Sequence, residues 1–495
     1  MSQSTAQISP EARTNGSRDA SAFVPGADAS PADIERVFEL QQAHQFAVGK
    51  TSARERKEKL KRLLTAIMSR KQEIRDALYA DFRKHPAEVD LTEIMPITSE
   101  IKHAIAHLSK WMRPRRVKTP LSLFGSSSYI HYEPKGVVLV IAPWNFPVNL
   151  TFGPVISAVA AGNCVMLKPS EHTPHASAII KSIIDEVFDE SEVAVIEGGI
   201  ETSTAALALP FNHIFFTGAP AIGKIVMAAA SKHLASVTLE LGGKSPTIID
   251  ETASVDAAAR RIAWAKFTNN GQICISPDYL FVHESKKDEF LEKLGKHIES
   301  FYGLDARRSD SYARIVNHRH YQRLSGYLED AKHKGATVVY GGQTEGSEDY
   351  IGPTVLTDVD PNADVMVNEI FGPLLPVYGY KSLDEPIAMI NSKEKPLALY
   401  IYSKSQSNIN RIMESTRAGG TCINHSVVHF FQNNLPFGGS NNSGIGKGHG
   451  VFGFEAFSNP RGVFKQVLPF SGIELMMAPF TKFKQLLIDL SIKYL

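Results

Sequence analysis

A thiol, a carboxyl and an amide stand in this chain where their neighbours could turn them to chemistry. The thiol is Cys274, in the run Asn269-Asn270-Gly271-Gln272-Ile273-Cys274-Ile275-Ser276-Pro277-Asp278-Tyr279. A cysteine after a glycine-containing turn is a candidate nucleophile, since a thiolate attacks carbonyl carbon well; most free cysteines, however, are small buried hydrophobes. The carboxyl is Glu240, which ends an apolar run and precedes Leu241-Gly242-Gly243-Lys244-Ser245-Pro246. Apolar surroundings raise a carboxyl pKa and suit it to proton transfer, although a paired structural charge fits the same pattern. The amide is Asn145, within Pro143-Trp144-Asn145-Phe146-Pro147. Prolines and aromatics would hold its N–H donors in place for an oxyanion, or simply make a rigid turn.

Two further stretches could hold a cofactor. Phe216-Thr217-Gly218-Ala219-Pro220-Ala221-Ile222-Gly223 lies between an expected strand and an expected helix, where phosphate oxygens meet backbone N–H groups. Its glycines are spaced five apart rather than as G-x-G-x-x-G. Val165-Met166-Leu167-Lys168-Pro169-Ser170-Glu171 places a cation and a carboxylate at a strand's carboxyl end, suited to ribose or to a solvated loop. The loops Asn368-Glu369-Ile370-Phe371-Gly372-Pro373 and Leu435-Pro436-Phe437-Gly438-Gly439-Ser440 are uninformative singly.

Positioning these residues requires an alternating α/β framework, and the apolar spacing supplies one. Ser30-Pro31-Ala32-Asp33 starts a helix ending near Gly49, and Ser52-Ala53-Arg54-Glu55 has capping-box spacing for a helix running to about Phe82. A third helix is expected over 90–112. The pattern then shifts to strands at 126–132, 136–141, 164–167, 193–196, 214–216 and 236–239, with helices at 175–188 and 222–234. This is a doubly wound rhythm. A second α/β block follows a junction near 241–244, with a helix at 254–269, a strand at 279–282 and a helix at 286–301, then units at 398–403, 407–416 and 422–424.

Balanced charge (53 basic against 52 acidic residues) gives no reason to expect nucleic acid as a partner. The three cysteines, Cys164, Cys274 and Cys422, form neither a disulfide framework nor a zinc spacing, so a reduced, metal-free interior is expected. Residues 1–29 read as a disordered leader, and no apolar run is long enough for a membrane span. Over 480–495, Phe483, Leu487, Leu490 and Tyr494 share one helical face, which favours docking on the protein's own surface over peripheral membrane contact.

In this order and spacing, the motifs at 143–147, 167–171, 216–223, 239–246, 271–274, 369–373 and 435–439 resemble the aldehyde dehydrogenase superfamily, from about residue 37 to 457. Pro277-Asp278-Tyr279 after Cys274 and the short helical opening look most like the class 3 branch, including bacterial coniferyl aldehyde dehydrogenases. The resemblance implies a variant Rossmann cofactor domain (30–117 and 134–241), a catalytic α/β domain (242–455), oligomerisation strands (118–133 and 456–470) and a C-terminal amphipathic helix (471–495). It implies oxidation of a medium- or long-chain aliphatic or an aromatic aldehyde to its acid, using NAD, with NADP possible. Cys274 would be the nucleophile, Glu240 the water-activating base, and Asn145 with the Cys274 N–H the oxyanion site. Trp144, Lys168, Glu171, Gly218, Ala219, Pro220, Ala221, Ile222, Gly223, Leu241, Glu369 and Phe371 would bind cofactor; Glu171 would favour NAD by repelling a 2′-phosphate. A cytoplasmic homodimer is implied. Ala219-Pro220 and Asn424-His425 depart from the pattern. A CoA-acylating enzyme and a catalytically silent relative are the alternatives. Cys274 is expected to follow a helix carboxyl end, which disfavours a thiolate, so bound cofactor would help form it.

Overall fold

A computed structural model describes residues 28–494; most of the expected leader, residues 1–27, lies outside the described residues. The opening helices form where their caps predict. Ser30 Oγ accepts the Asp33 N–H ahead of Pro31–Gly49, and Ser52 with Glu55 closes a reciprocal capping box on Ala53–Ser69. The helix expected to continue to Phe82 instead breaks at Arg70 (φ −103°, ψ 19°) and resumes as Lys71–Phe82. Both pieces feed one core through Leu60, Leu63, Ile67, Ile74 and Leu78, so the apolar spacing runs through the break unmarked. The third helix also differs. It starts at Pro86, passes through a π-helical turn, Asp90–Ile94, and runs on as Met95–Trp111. Such turns re-aim side chains, and here Glu93 points into the interior.

Six strands form the first sheet, in the order Gly444–Ile445, Ser236–Glu240, His213–Thr217, Val137–Ile141, Cys164–Lys168, Val193–Val195. All neighbours are parallel except the first pair. The central strands are buried on both faces. Val138, Val140, Val165 and Leu167 face the core shared with the helices of 53–111, while Leu139, Ile141 and Met166 face that of Pro31–Gly49. This is why these strands read as continuous apolar runs. Between sheet and helices lies Asn149–Ala161, almost wholly buried, which the spacing did not reveal.

The chain leaves this sheet after Glu240 and enters a second one at Pro246–Ile249. Seven strands are ordered Thr337–Tyr340, Thr354–Thr357, Leu374–Tyr380, Tyr279–His283, Pro246–Ile249, Ala398–Tyr402, Gly420–Ile423, and only the first runs antiparallel. Helices Val255–Phe267 and Glu284–Tyr302 cover one face and His318–His333 the other. The chain rejoins the first sheet at Gly444–Ile445. A third sheet pairs Ser126–Pro134 with Ser458–Gln466 over nine residues and with Arg115–Val117 on its other edge.

The tail differs from expectation. The segment from 471 onward is a 3₁₀ turn, Gly472–Met476, and a helix only at Lys482–Tyr494, which buries none of its residues. Phe483 is 66% and Tyr494 70% exposed, so much of the apolar face is bare, although Leu487 is half-buried. Helical amphipathicity shows that a face is made to be covered, not by what.

Candidate active site

Glu240 sits at the carboxyl end of its strand, opposite Thr217. Its carbonyl accepts the Gly218 N–H at 3.0 Å, which fixes the backbone and turns the side chain inward. Glu240 is 8% exposed, its carboxyl oxygens are buried, and neither has a hydrogen-bond partner. Burial raises its pKa to about 8, opposed only by the charge of Lys447. Sequence reasoning missed Lys447. It donates to the Gly438 and Gly439 carbonyls and so ties the 435–440 loop beside Glu240.

Cys274 comes from a sharper turn than expected. The helix predicted to reach 269 stops at Phe267, and Asn269, Asn270 and Gly271 all adopt left-handed conformations (φ 51°, 56° and 74°). Gly271 is required: a Cβ there would lie 2.3 Å from the Gly372 carbonyl, so only glycine lets the cysteine loop approach the Glu369 loop. The helix therefore ends at Phe267, and a 3₁₀ turn, Thr268–Gly271, stands between it and Cys274. The thiol pKa is pushed well up, first by burial, then by Glu369 and Glu240; the N–H groups of Cys274 and Ile275 partly offset this.

Behind the loop lies a buried polar network that the sequence did not disclose. Asn145 Nδ2 donates to the Gln272 carbonyl (3.0 Å), and Asn269 Nδ2 to the Asn145 carbonyl (2.8 Å). Gln272 Nε2 donates to the Arg314 carbonyl, and its Oε1 accepts the Val316 N–H. Glu88 accepts the Asn269 N–H at 2.8 Å. Beneath them Lys84 and Glu93, both fully buried, pair at 3.0 Å, and Glu93 also takes the Asn149 N–H. In the sequence Lys84 stands in Arg83-Lys84-His85 and Asn269 in Asn269-Asn270-Gly271-Gln272, among other polar residues, so nothing marked them as a buried set.

The Glu369 loop is anchored just as firmly. Lys244 pairs with Asp278 and donates to the Val365 and Asn368 carbonyls, while Asp278 accepts the Ile370 N–H at 2.9 Å. The Pro277-Asp278 motif thus acts through position, by holding this loop. Arg323 Nη1 grips the Ile370 carbonyl, Phe371 takes a left-handed φ of 48°, and its ring meets Trp144 edge-on at 5.2 Å. The Glu369 carboxyl lies against Gly242, where a Cβ would come within 2.1 Å of Oε2. Burial raises it to about 8, opposed first by the Gly243 N–H, and its Oε1 has no partner.

Cys274 is a wall of two cavities. One, of about 740 Å³, also touches Glu240, Leu241, Thr217 and His449. The other, of about 530 Å³, is lined by Trp264, Ile273, Val427 and Phe431 and is almost wholly apolar. Asn145, 3% exposed, lines neither. The cofactor candidates lie apart. Lys168 Nζ bonds Glu171 at 2.9 Å, and Glu171 lines a separate hollow with Asp28, Ser170 and Glu197. In the 218–223 turn the Ile222 and Gly223 N–H groups return to the Ala219 carbonyl, Gly218 donates to Glu240 and Pro220 has no N–H. That leaves Ala219 and Ala221, fewer free donors than expected. Gly223 admits Leu241 at a distance a Cβ could not share (2.8 Å). Of the two departures from pattern, Asn424 (φ 56°) is fixed by bonds to Ser403, and His425 packs edge-on at 6.4 Å from Trp264.

These residues fit a dinucleotide. Exposed N–H groups at a helix start, a lysine–carboxylate pair at the ends of parallel strands, and the unpartnered Glu369 oxygen are what phosphate and ribose hydroxyls require. Fold and site together suit a dinucleotide-dependent oxidoreductase. More particularly, the chain belongs to the aldehyde dehydrogenase family, whose model matches residues 12–463. It is 45% identical over 444 residues to the 4,4'-diaponeurosporen-aldehyde dehydrogenase of Staphylococcus aureus, covering 90% of this chain and 95% of that one. It is 43% identical to the dimeric NADP-preferring aldehyde dehydrogenase of Rattus norvegicus, covering 84% and 91%. The substrate-bound structure of Staphylococcus aureus AldH superposes with a TM-score of 0.88 at 41% identity, covering 93% and 99%. The chain is an NAD(P)-dependent enzyme that oxidises aldehydes, of the class 3 type.

Proposed function

We propose that Cys274 is the nucleophile, Glu240 the base that activates water, and Asn145 with the Cys274 N–H the holder of the oxyanion. The Cys274 sulfur adds to the aldehyde carbon, its proton leaving to a base in the cavity, to give a thiohemiacetal. NAD or NADP, when bound, supplies the acceptor for the hydride that then leaves this carbon. The resulting thioester is attacked by water, whose proton passes to Glu240, and the carboxylic acid departs as the thiol re-forms. The observation that carries this reading is Glu240: two buried, unpartnered oxygens on the wall of the cavity that holds the thiol. Leaving such oxygens unbonded costs stability, which an acceptor for a water proton explains and a structural ion pair does not. Acyl transfer to CoA has no need of this base. Asn145 uses one amide hydrogen on Gln272 and retains a second for the oxyanion.

Lys168, Glu171, the 218–223 turn, Trp144, Leu241, Glu369 and Phe371 would hold the cofactor. The carboxylates of Asp28, Glu171 and Glu197 around one hollow support a preference for NAD, since a 2′-phosphate there would meet like charge. The substrate is a medium- or long-chain aliphatic or aromatic aldehyde, in keeping with the apolar cavity lined by Trp264, Val427 and Phe431. Purified protein with NAD and hexanal should form NADH and hexanoate in equal amounts without CoA. NADH formation that requires CoA would favour the acylating reading, and none at all would overturn both.

The assembly is a homodimer in the cytoplasm. The outer edge of Ser458–Gln466, unpaired among the described residues, and the exposed Phe464, Val467 and Phe470 support it. Among the described residues no helix is long and apolar enough to cross a membrane. The bare face of Lys482–Tyr494, with Lys482, Lys484 and Lys493 alongside, supports contact outside its own subunit, with a partner's cavity mouth or a membrane surface. Removing 480–495 should change chain-length preference in the first case and vesicle co-sedimentation in the second.

A further inference from the structure

Glu240 has a cationic neighbour, and the way that neighbour is held bears on the reaction. Lys447 stands between two glycines, Gly446 and Gly448, on the segment that leaves the strand Gly444–Ile445. Gly444 lies opposite Glu240 in the first sheet, so this segment departs from beside the base. Gly448 and Phe437 then exchange backbone hydrogen bonds, at 2.7 Å from the Gly448 N–H and 3.3 Å from the Phe437 N–H, which brings the 435–440 loop alongside. Gly438 sits where the three meet: a Cβ there would fall 2.9 Å from Glu240 Oε1 and 3.1 Å from Lys447 Cδ. The carboxyl and the lysine stem thus flank one glycine. Lys447 Nζ does not bond the carboxyl. It donates to the Gly438 and Gly439 carbonyls, the latter at 2.9 Å, and both Glu240 oxygens stay unbonded.

A buried carboxyl without a cation close by is held as the neutral acid, which cannot take a proton from water. A cation bonded to it directly would ionise it but would occupy the oxygens that must receive that proton. Lys447 does neither: its charge acts through low-dielectric interior, while its hydrogen bonds end on carbonyls. The other ionisable groups on the elements around Glu240 are Cys274 on the facing loop, Glu369 near that thiol, and Glu100 and His449 on the cavity wall. None is a cation at neutral pH, His449 being lowered to about 4 by burial. Lys447 alone opposes the effect of burial on Glu240. Resting on the reading of Glu240 as the water-activating base, we infer that Lys447 is a positioning residue for thioester hydrolysis: held on the Gly438 and Gly439 carbonyls, its ammonium favours the ionised carboxylate and leaves both oxygens free for the water proton. In each turnover that proton passes from water to Glu240 and on to solvent, and the ammonium keeps its own.

The test follows NADH formation from hexanal across neutral and mildly alkaline pH, separating the initial burst from the steady state. The wild-type steady-state rate should rise through a pH of about 8. Lys447→Met should move that rise up by about one pH unit, so that the rate at neutral pH falls roughly tenfold while the NADH burst keeps its amplitude. Lys447→Gln, neutral yet able to donate to the same carbonyls, should shift the rise in the same direction and answers for a Met variant that fails to fold. Lys447→Arg, which keeps the charge, should hold the rise close to its wild-type position. A lysine that only ties down the 435–440 loop would, when replaced, lower the rate by one factor at every pH. That result, or a rise left in place in both neutral variants, would overturn the inference. A pH-dependent rise that survives in Glu240→Gln would overturn the reading of Glu240 instead.

Discussion

The two sides of the Cys274 loop are built on opposite terms. Behind it, the amide nitrogens of Asn145, Asn269 and Gln272 all donate, Glu88 takes a backbone N–H, and Lys84 is matched to Glu93. In front, Glu240 has no partner at either oxygen, Glu369 lacks one at Oε1 and Glu100 at Oε2. Burial alone does not separate them, since both sides are interior. Satisfaction does. Paired polar groups over-determine a conformation that includes three successive left-handed residues, whereas unpaired ones keep unused bonding capacity for molecules that arrive later. On the proposed reading of Glu240, the positioning half and the reacting half of the site then differ in whether their ionisable groups are paired.

Substitutions on each side should fail differently. The largest effect belongs to Cys274→Ala, which should abolish NADH formation while leaving the melting temperature within a few degrees, because the removed thiol holds nothing in place. Glu240→Gln comes next. It should lower kcat by roughly 10²–10⁴-fold and leave a burst of NADH close to the enzyme concentration, since water attack on the thioester is the step that loses its base. Because Glu240 titrates at about 8, wild-type deacylation should rise with pH through that value, as the base form appears, and the rise should vanish in Glu240→Gln. A rise that persists would return Glu240 to the structural side.

On the other side, Lys84→Met strands Glu93 as an unpaired buried charge. It should cost about 3–5 kcal/mol of stability, read by denaturant unfolding, with activity lost only as the fold is lost. If Lys84→Met instead left stability unchanged and cut kcat, the division would be drawn in the wrong place.

Much of the frame was legible because its strands are buried on both faces: 137–141 and 164–168 are apolar without interruption. Helix caps at Ser30 and Ser52 were equally plain. What escaped had physical reasons. Asn149–Ala161 is apolar all round, so it has no periodic stripe and carries Pro154 in its interior. The break at Arg70 falls between helices that share one core. The end of the helix before Cys274 was misplaced because Asn269 and Asn270 take a left-handed conformation that no spacing rule marks. Motif residues in the site were visible as types. Their partners Lys84, Glu88, Glu93 and Lys447 were not, because a buried ion pair joins residues that the sequence shows only as ordinary surface charges.

The smallest effect tests the front side through stability alone. Glu240 and Glu369 have folded pKa values of about 8, well above the unfolded carboxyl value. The sign follows: the native state holds their protons while the unfolded chain has lost them, so stability is greatest below the unfolded pKa and falls as pH rises towards 8. Acidic conditions mix in other groups, because His320, His429 and His449, lowered to about 4, act with the opposite sign until the unfolded histidines lose their protons near 6.5. Lys135 and Lys266, lowered to about 8, also oppose the trend, but chiefly above that pH. The clean window is therefore pH 7 to 8, where each orphaned carboxyl contributes a slope of at most about 1.4 kcal/mol per pH unit. Glu100 and Glu88, raised to about 7, are half titrated at its lower edge and add to the fall within it, so the reading is the difference between wild type and Glu240→Gln. Across this window the wild type should melt at a falling temperature, and Glu240→Gln, whose amide mimics the protonated acid, should show a shallower fall. Equal slopes would mean that Glu240 already has a partner in solution, and the contrast between the two sides of the loop would lose its strongest member.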